Sequence, residues 1–252
     1  MRILRFYIKL EQINIQELID LPTDTSHYIS RVLRLSPGDI IHLFNGKSQK
    51  EYISEIKSIS KKTVQVMIND SLEIQNESPI KINIVQALSK GDKIDTIIQK
   101  VTELGATSFT PITTDYCDYK LSVDRQEKKA QHWQKIAISA TEQSGRVIPL
   151  KIKTLITLNS WLKQNNKNCI ILHPHSSNKL KDLLLHISPT TSLTNISEIS
   201  VLIGPEGGFS KSEICLANTY NCKDISLGPR ILRTETAPIA IISILQSLYG
   251  DI

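Results

Sequence analysis

Residues 199–210, ISVLIGPEGGFS, and residues 225–240, ISLGPRILRTETAPIA, decide how this chain is read. The first stretch is an apolar strand that runs straight into a glycine-rich loop and then a helix start, with Ser210 and Glu213 spaced as a capping box. Glycines in that position let backbone come close to a ligand, and the free N–H groups of a helix start bind polar atoms. A plain structural turn explains GPEGG nearly as well. The second stretch reads as a strand ending near Leu227, a Gly228-Pro229 turn, and an approach to a very apolar last helix. Thr234 or Thr236 as helix cap and Glu235 as a favourable helix-dipole charge account for part of its polar cluster. Arg230 and Arg233 are left without a structural reason.

Working outward, the segments from residue 79 to the carboxyl terminus alternate strand and helix. KINIVQALS (81–89) is a strand, Asp92 to Leu104 a helix with Ile94, Ile97, Ile98, Val101 and Leu104 on one face, and Gly105 its stop. A helix is expected over Gln126 to Gln143, strands over Asn168 to His173 and Ile199 to Ile203, and a last helix over Thr236 to Tyr249. That last helix is apolar on nearly every side, which predicts burial between elements or against a second subunit. The pattern defines an α/β domain. A phosphate-binding G-x-x-x-x-G-K-[ST] loop and an early G-x-G-x-x-G are both missing from the sequence, which argues against an ATPase, a dehydrogenase and an ordinary Rossmann-type methyltransferase.

The amino-terminal part reads differently. LRFYIKL (4–10), SPGDIIHLFNGKSQKEYISEI (36–56) and KKTVQVMIND (61–70) are short strands punctuated by the turn residues Ser36-Pro37-Gly38-Asp39 and Asn45-Gly46-Lys47. A small β-barrel or sandwich is expected, interrupted by a helix over Thr25 to Leu35. The domains are taken as residues 1–73 and 74–252, with the boundary in the polar stretch near Ile74 to Pro79.

Composition sets the wider bounds. The 252 residues are 40% hydrophobic and 22% charged, ordinary for a soluble protein, and no run approaches the roughly 20 apolar residues of a membrane span. Cys117, Cys169, Cys215 and Cys222 form no C-x-x-C pair, which predicts reduced thiols, a cytoplasmic location and no metal site. A net charge of +5 fits an acidic partner and fits a mildly basic enzyme equally.

IGPEGGFS and LGPRILRTETA, in this order, resemble the signature of the bacterial 16S ribosomal RNA uridine-N3 methyltransferase family. MRILRF (1–6), RVLRLSPGD (31–39), LFNG (43–46), LSKGDKIDTIIQKVTELG (88–105) and ATEQSGRVIP (140–149) extend the resemblance over both domains. TTDYCDYKL (113–121) departs from the family's pattern, which more often has an arginine there. The resemblance implies a PUA-like β-barrel followed by a SPOUT-type α/β methyltransferase domain with a trefoil knot, bound S-adenosylmethionine, a homodimer, and the small ribosomal subunit with its 16S RNA as partner.

On the same ground the cofactor falls to three loops: Leu172, His173 and Pro174; Ile203, Gly204, Pro205, Glu206, Gly207 and Gly208; and Leu227, Gly228, Ile231, Leu232, Thr234, Glu235, Thr236 and Ala237. His173 and His175 lack a third ligand, so they line a pocket and hold no metal. Arg233 and Arg230 are the expected catalytic residues, offsetting charge on the uracil oxygens. Glu103, Glu142 and Glu235 are the candidate bases, Glu103 being ranked with the arginines. RNA contacts are expected from Arg2, Arg5, Arg31 and Arg34, and from Lys90, Lys93, Lys100 and Arg146. Two rivals stay open: the same chemistry on another RNA such as transfer RNA, and a non-catalytic RNA-binding ribosome-assembly factor.

Overall fold

The computed structural model describes residues 3–117, 122–165, 168–180 and 197–252. Arg2 and the last four residues of the divergent TTDYCDYKL stretch lie outside them. The chain forms two compact units, Met1–Glu77 with Thr141–Pro149, and Ser78–Ala140 with Leu150–Ile252.

In the first unit, strands β1 (Arg5–Tyr7), β2 (Leu18–Asp20), β3 (Ile40–Phe44), β4 (Lys50–Ile59) and β5 (Val64–Glu73) make a sheet of order β1-β3-β4-β5-β2. β1 pairs with β3 in parallel, and the remaining pairs are antiparallel. Alternation drives this. Val64, Val66 and Ile68 of β5 are buried while their neighbours face outward, so one side of the strand supplies core. Register shifts in β4 at Ile53/Ser54 and Ile56/Ser58 coil the sheet around Phe6, Ile29, Ile41, Leu43, Ile56 and Val66. Gly46 has a φ of +71°, and a Cβ there would stand 2.9 Å from Pro149 Cδ, so only glycine fits.

The helix expected over Thr25 to Leu35 is instead α1 (Thr23–His27) followed by a π-helical turn over Tyr28–Leu33, which Arg34 ends in the left-handed region at φ 54°. The wider winding breaks the apparent three-and-four repeat. Ile29 is fully buried, whereas Tyr28 and Val32 face solvent.

The second unit is a seven-stranded parallel sheet of order β12-β10-β11-β6-β7-β8, with β9 also pairing with β7. Its strands are β6 (Lys81–Ala87), β7 (Ser108–Thr113), β8 (Lys151–Ile152), β9 (Ile156–Thr157), β10 (Cys169–Leu172), β11 (Glu198–Ile203) and β12 (Lys223–Ile225). Both faces must be covered in such a sheet. Ile82, Ile84, Ile170, Leu172, Val201 and Ile203 point to a core shared with α2 (Lys93–Glu103), α3 (Val123–Ser144) and α6 (Thr236–Tyr249). Val85, Ala87, Ile171 and Leu202 point the other way, to α4 (Leu158–Gln164) and α5 (Lys211–Thr219).

α2 ends at Leu104, and Gln246 of α6, 1% exposed, donates from Nε2 to the Leu104 carbonyl at 2.7 Å while its Oε1 accepts from Ser78 at 2.7 Å. One amide thus satisfies a helix end and locks α6 on α2. α6 is not enclosed on every side: Ile241, Ile242 and Leu245 are buried, but Ile244 and Leu248 are exposed.

The expectation of four free thiols is overturned. Cys169 and Cys222 are joined as a disulfide, because β10 and β12 are neighbours whose register puts the residues preceding Ile170 and Lys223 opposite each other. Cys117 and Cys215 are free. Among the described residues no helix is long and apolar enough to cross a membrane.

Candidate active site

Strands β10, β11 and β12 are parallel, so their carboxyl ends open on the same side of the sheet, where open α/β sheets hold ligands. A cavity of about 550 Å³ lies there. Its walls are the three loops that leave those strands: Leu172 to His175, Ile203 to Phe209, and Leu227 to Ala237. Leu172, Ile203, Leu227 and Leu232 give it an apolar floor, and Lys93 from the start of α2 closes one side.

The glycine loop is built for close approach. A Cβ on Gly204 would meet Gly208 backbone at 3.0 and 3.1 Å, so residues 204–208 fold back on themselves only because position 204 has no side chain. Gly208 takes a φ of +73°. Ser210 then caps α5, accepting from the Glu213 amide at 3.2 Å while Glu213 accepts from the Ser210 amide at 2.8 Å. The capping box read from the sequence is therefore present. Glu213 also accepts the Asp115 amide at 2.8 Å, and Ser210 Oγ donates to Asp115 at 2.6 Å, which fastens the loop after β7 to the same helix start.

The RTET segment is placed by a residue the sequence reading passed over. Gln86, fully buried near the end of β6, donates from Nε2 to Thr234 Oγ1 at 3.0 Å and to the Gly204 carbonyl at 3.3 Å. Thr234 Oγ1 donates to the Gly204 carbonyl at 2.8 Å. Thr234 is thus a latch between two cavity walls and not a helix cap. Thr236 does not cap either; Glu235 stands at the N-cap of α6 without a side-chain capping bond. The signal for Gln86 was a polar residue inside the otherwise apolar run IVQAL (84–88).

Charge at the cavity is sorted. Glu206 binds Lys93 at 2.5 Å; partial burial would raise its carboxyl, but the Lys93 bond and charge outweigh that and hold it below the usual range. Burial, with His175 beside it, pushes the His173 imidazole below its ordinary value, against the pull of Asp224. Among the described residues no group of three or more His, Cys, Asp or Glu could hold a metal ion. Arg230 and Arg233 line the cavity with their side chains toward solvent, Arg233 being 85% exposed.

All but one of the expected cofactor-loop residues line this cavity: Thr236 is the exception, exposed on the first turn of α6. Arg230 and Arg233 are brought there as well. Glu103 is not. It pairs with Lys100 at 3.0 Å, ten residues and about 15 Å along α2 from Lys93. Glu142 belongs to the other unit, where it accepts the Tyr7 amide at 2.9 Å.

The expected RNA contacts divide. Arg31 and Arg34 are exposed, as is Lys90. Lys93 and Lys100 spend their charge on Glu206 and Glu103. Arg5 and Arg146 are structural: Arg5 is ion-paired with Glu51 and donates to the carbonyls of Thr141, Glu142, Gly145 and Arg146 at 2.8 to 3.2 Å. Arg146, 5% exposed, pairs with Glu77 at 2.6 Å. Both guanidiniums are buried among acceptors, where a phosphate has no access.

Comparison with known proteins defines the class. The family described as RNA methyltransferase domain matches residues 76–246, and the RNA methyltransferase PUA domain matches residues 21–68. This is a SPOUT-type RNA methyltransferase with an amino-terminal PUA-like domain. Ribosomal RNA small subunit methyltransferase E of Buchnera aphidicola (from Schizaphis graminum) is 37% identical over 100% of this chain and 98% of its own length, and that of Bacillus subtilis is 33% identical over 98% and 99%. The Neisseria gonorrhoeae enzyme of the same name, solved bound to S-adenosylmethionine, superposes with a TM-score of 0.89 at 32% identity over 100% of both chains. A Legionella pneumophila protein solved with the same cofactor gives 0.91 at 35%, again over 100% of both. The chain belongs to the ribosomal RNA small subunit methyltransferase E family.

Proposed function

We propose that this enzyme transfers the methyl group of S-adenosylmethionine to N3 of a uridine in 16S ribosomal RNA, acting on the small ribosomal subunit in the cytoplasm. The observation that carries the reading is the convergence of both signature stretches, GPEGG and RTET, on one cavity at the strand ends. The cavity fits the cofactor. It offers apolar walls for an adenine, a glycine loop whose tight fold-back leaves no room for a Cβ at Gly204, and at Glu235 a buried carboxylate oxygen with no partner, ready for a donor.

When bound, the cofactor supplies an electrophilic methyl and a good leaving group. The chain does the rest. The latch of Gln86, Thr234 and Gly204 holds two walls in register, so the methyl donor and the acceptor nitrogen are presented in one geometry. Uracil N3 is an imide nitrogen, mostly protonated at neutral pH, so its proton must leave. Arg230 and Arg233, at the rim, offset the charge that spreads onto O2 and O4.

The proposal includes a trefoil knot in the loops around the cavity. It also includes a homodimer, supported by the exposed apolar Ile244 and Leu248 on α6 and by Ile231, 74% exposed at the cavity. A solution mass equal to one chain, in sedimentation of the active protein, would exclude the dimer. The activity is tested by incubating the protein with labelled S-adenosylmethionine and small subunits lacking the modification, followed by nucleoside mass analysis. Label in 3-methyluridine is expected. Label in another nucleoside, or none, overturns the reading.

A further inference from the structure

We propose that Glu235 is the catalytic residue that takes the proton from uracil N3, an inference that rests on the function proposed above. Two carboxylates line the cavity among the described residues, Glu206 and Glu235. Glu206 is bound to Lys93 at 2.5 Å. Glu235 differs in every respect that matters for a proton acceptor. Its Oε2 is buried and has no hydrogen-bond partner, and its Oε1 lies 3.9 Å from Arg233 Nη1, beyond hydrogen-bonding distance. It stands at the N-cap of α6 yet spends no oxygen on capping. Latching its neighbour Thr234 to Gly204 and Gln86 fixes the backbone from which the carboxylate projects.

A buried acceptor without a donor is costly, and proteins keep one where a ligand completes it. The imide N3–H is such a donor. The step balances: the N3 proton passes to Oε2 and the N3 electron pair forms the new bond to the methyl carbon. The carbon–sulfur bond breaks with its pair left on sulfur, and the carboxylic acid returns its proton to solvent. Arg230 and Arg233, with no acidic partner within ion-pair reach other than Glu235 among the described residues, stand where the uracil oxygens gain charge.

The test compares wild type with Glu235→Gln, which keeps shape and removes the basic oxygen, and with Glu235→Ala as a second variant. Each is checked for its melting temperature, for S-adenosylmethionine affinity by calorimetry, and for turnover on unmodified small subunits at saturating cofactor between pH 6 and 9. We expect Glu235→Gln to bind cofactor within about threefold of wild type, with kcat lowered by about a hundredfold or more. The deficit should shrink toward alkaline pH, where the imide ionises without help. Lost cofactor affinity with kcat preserved at saturation would make Glu235 a cofactor ligand and overturn the proposal, as would a kcat deficit that is the same at every pH. If wild type itself transfers no methyl to uridine, the proposed function fails instead.

Discussion

Single residues in this protein separate into those that hold the fold and those that face the cavity, and burial decides which. Arg5 and Arg233 are both cations beside a glutamate, but Arg5 sits in a shell of carbonyls and Arg233 is 85% exposed. Replacing Arg233 with alanine is expected to leave the melting temperature within about 2 °C, since exposed pairs contribute little, and to lower kcat by about 10²-fold, the usual loss when one charge-stabilising donor is removed. Unchanged kcat on small subunits would take Arg233 out of the mechanism. Glu142 makes a second case. Burial raises its carboxyl above the ordinary 4.5, against the Tyr7 amide and the Arg5 charge. A carboxyl raised in the folded state supports the fold below its unfolded pKa and loses that support as pH rises through the folded value. At neutrality its ionised form therefore weighs against folding. Glu142→Gln, which keeps the acceptor for Tyr7, is expected to melt higher than wild type at pH 7, with the gap closing as the pH falls below about 4.5. A gap that widened toward acid would contradict this.

At the level of elements, the sequence announced what depends on periodicity and local turn chemistry. α2, with Ile94, Ile97, Ile98 and Val101 spaced for one face, runs over Lys93–Glu103 within the expected Asp92 to Leu104, and the Ser210–Glu213 capping box starts α5. What escaped depends on contacts between distant segments. Gln86 reads as a blemish in a strand until Thr234, 148 residues later, is folded beside it. Cys169 and Cys222 meet only because β10 and β12 are neighbours. Arg5 looks like a phosphate ligand because sequence does not reveal the carbonyls around it. The three loops that wall the cavity were named through resemblance, and Thr236 strays from it because it faces solvent on the first turn of α6, whereas Ala237, the next residue, turns toward the cavity. The latch predicts its own failure: Thr234→Val keeps volume but deletes the donor to the Gly204 carbonyl and the acceptor for Gln86. A loss of about tenfold in S-adenosylmethionine affinity, measured by calorimetry, is expected for one buried hydrogen-bond pair removed. Unaltered affinity would show that the two walls hold together without it.

For the molecule as a whole, two compact units divide the labour. The first carries the exposed Arg31 within its π-helical turn and the exposed Arg34 at its end. If these meet phosphate, replacing either with alanine weakens binding to 16S RNA and lowers the salt slope by about one unit each, whereas a slope unchanged in both variants excludes them. The first unit is also discontinuous in sequence, since Thr141–Pro149 belongs to it. A fragment of residues 1–77 is expected to lack a cooperative thermal transition by circular dichroism, because Arg5 would keep its Glu51 pair but lose four carbonyl acceptors, and Gly46 would lose Pro149. A sharp transition for that fragment would refute this. The same arrangement fixes an order of events during synthesis. The strands of this unit leave the ribosome before residues 141–149, so the carbonyls that complete the hydrogen bonding of Arg5 and the arginine that pairs with Glu77 emerge only after residue 140. The amino-terminal unit therefore waits, half-finished, until residues 141–149 have been translated.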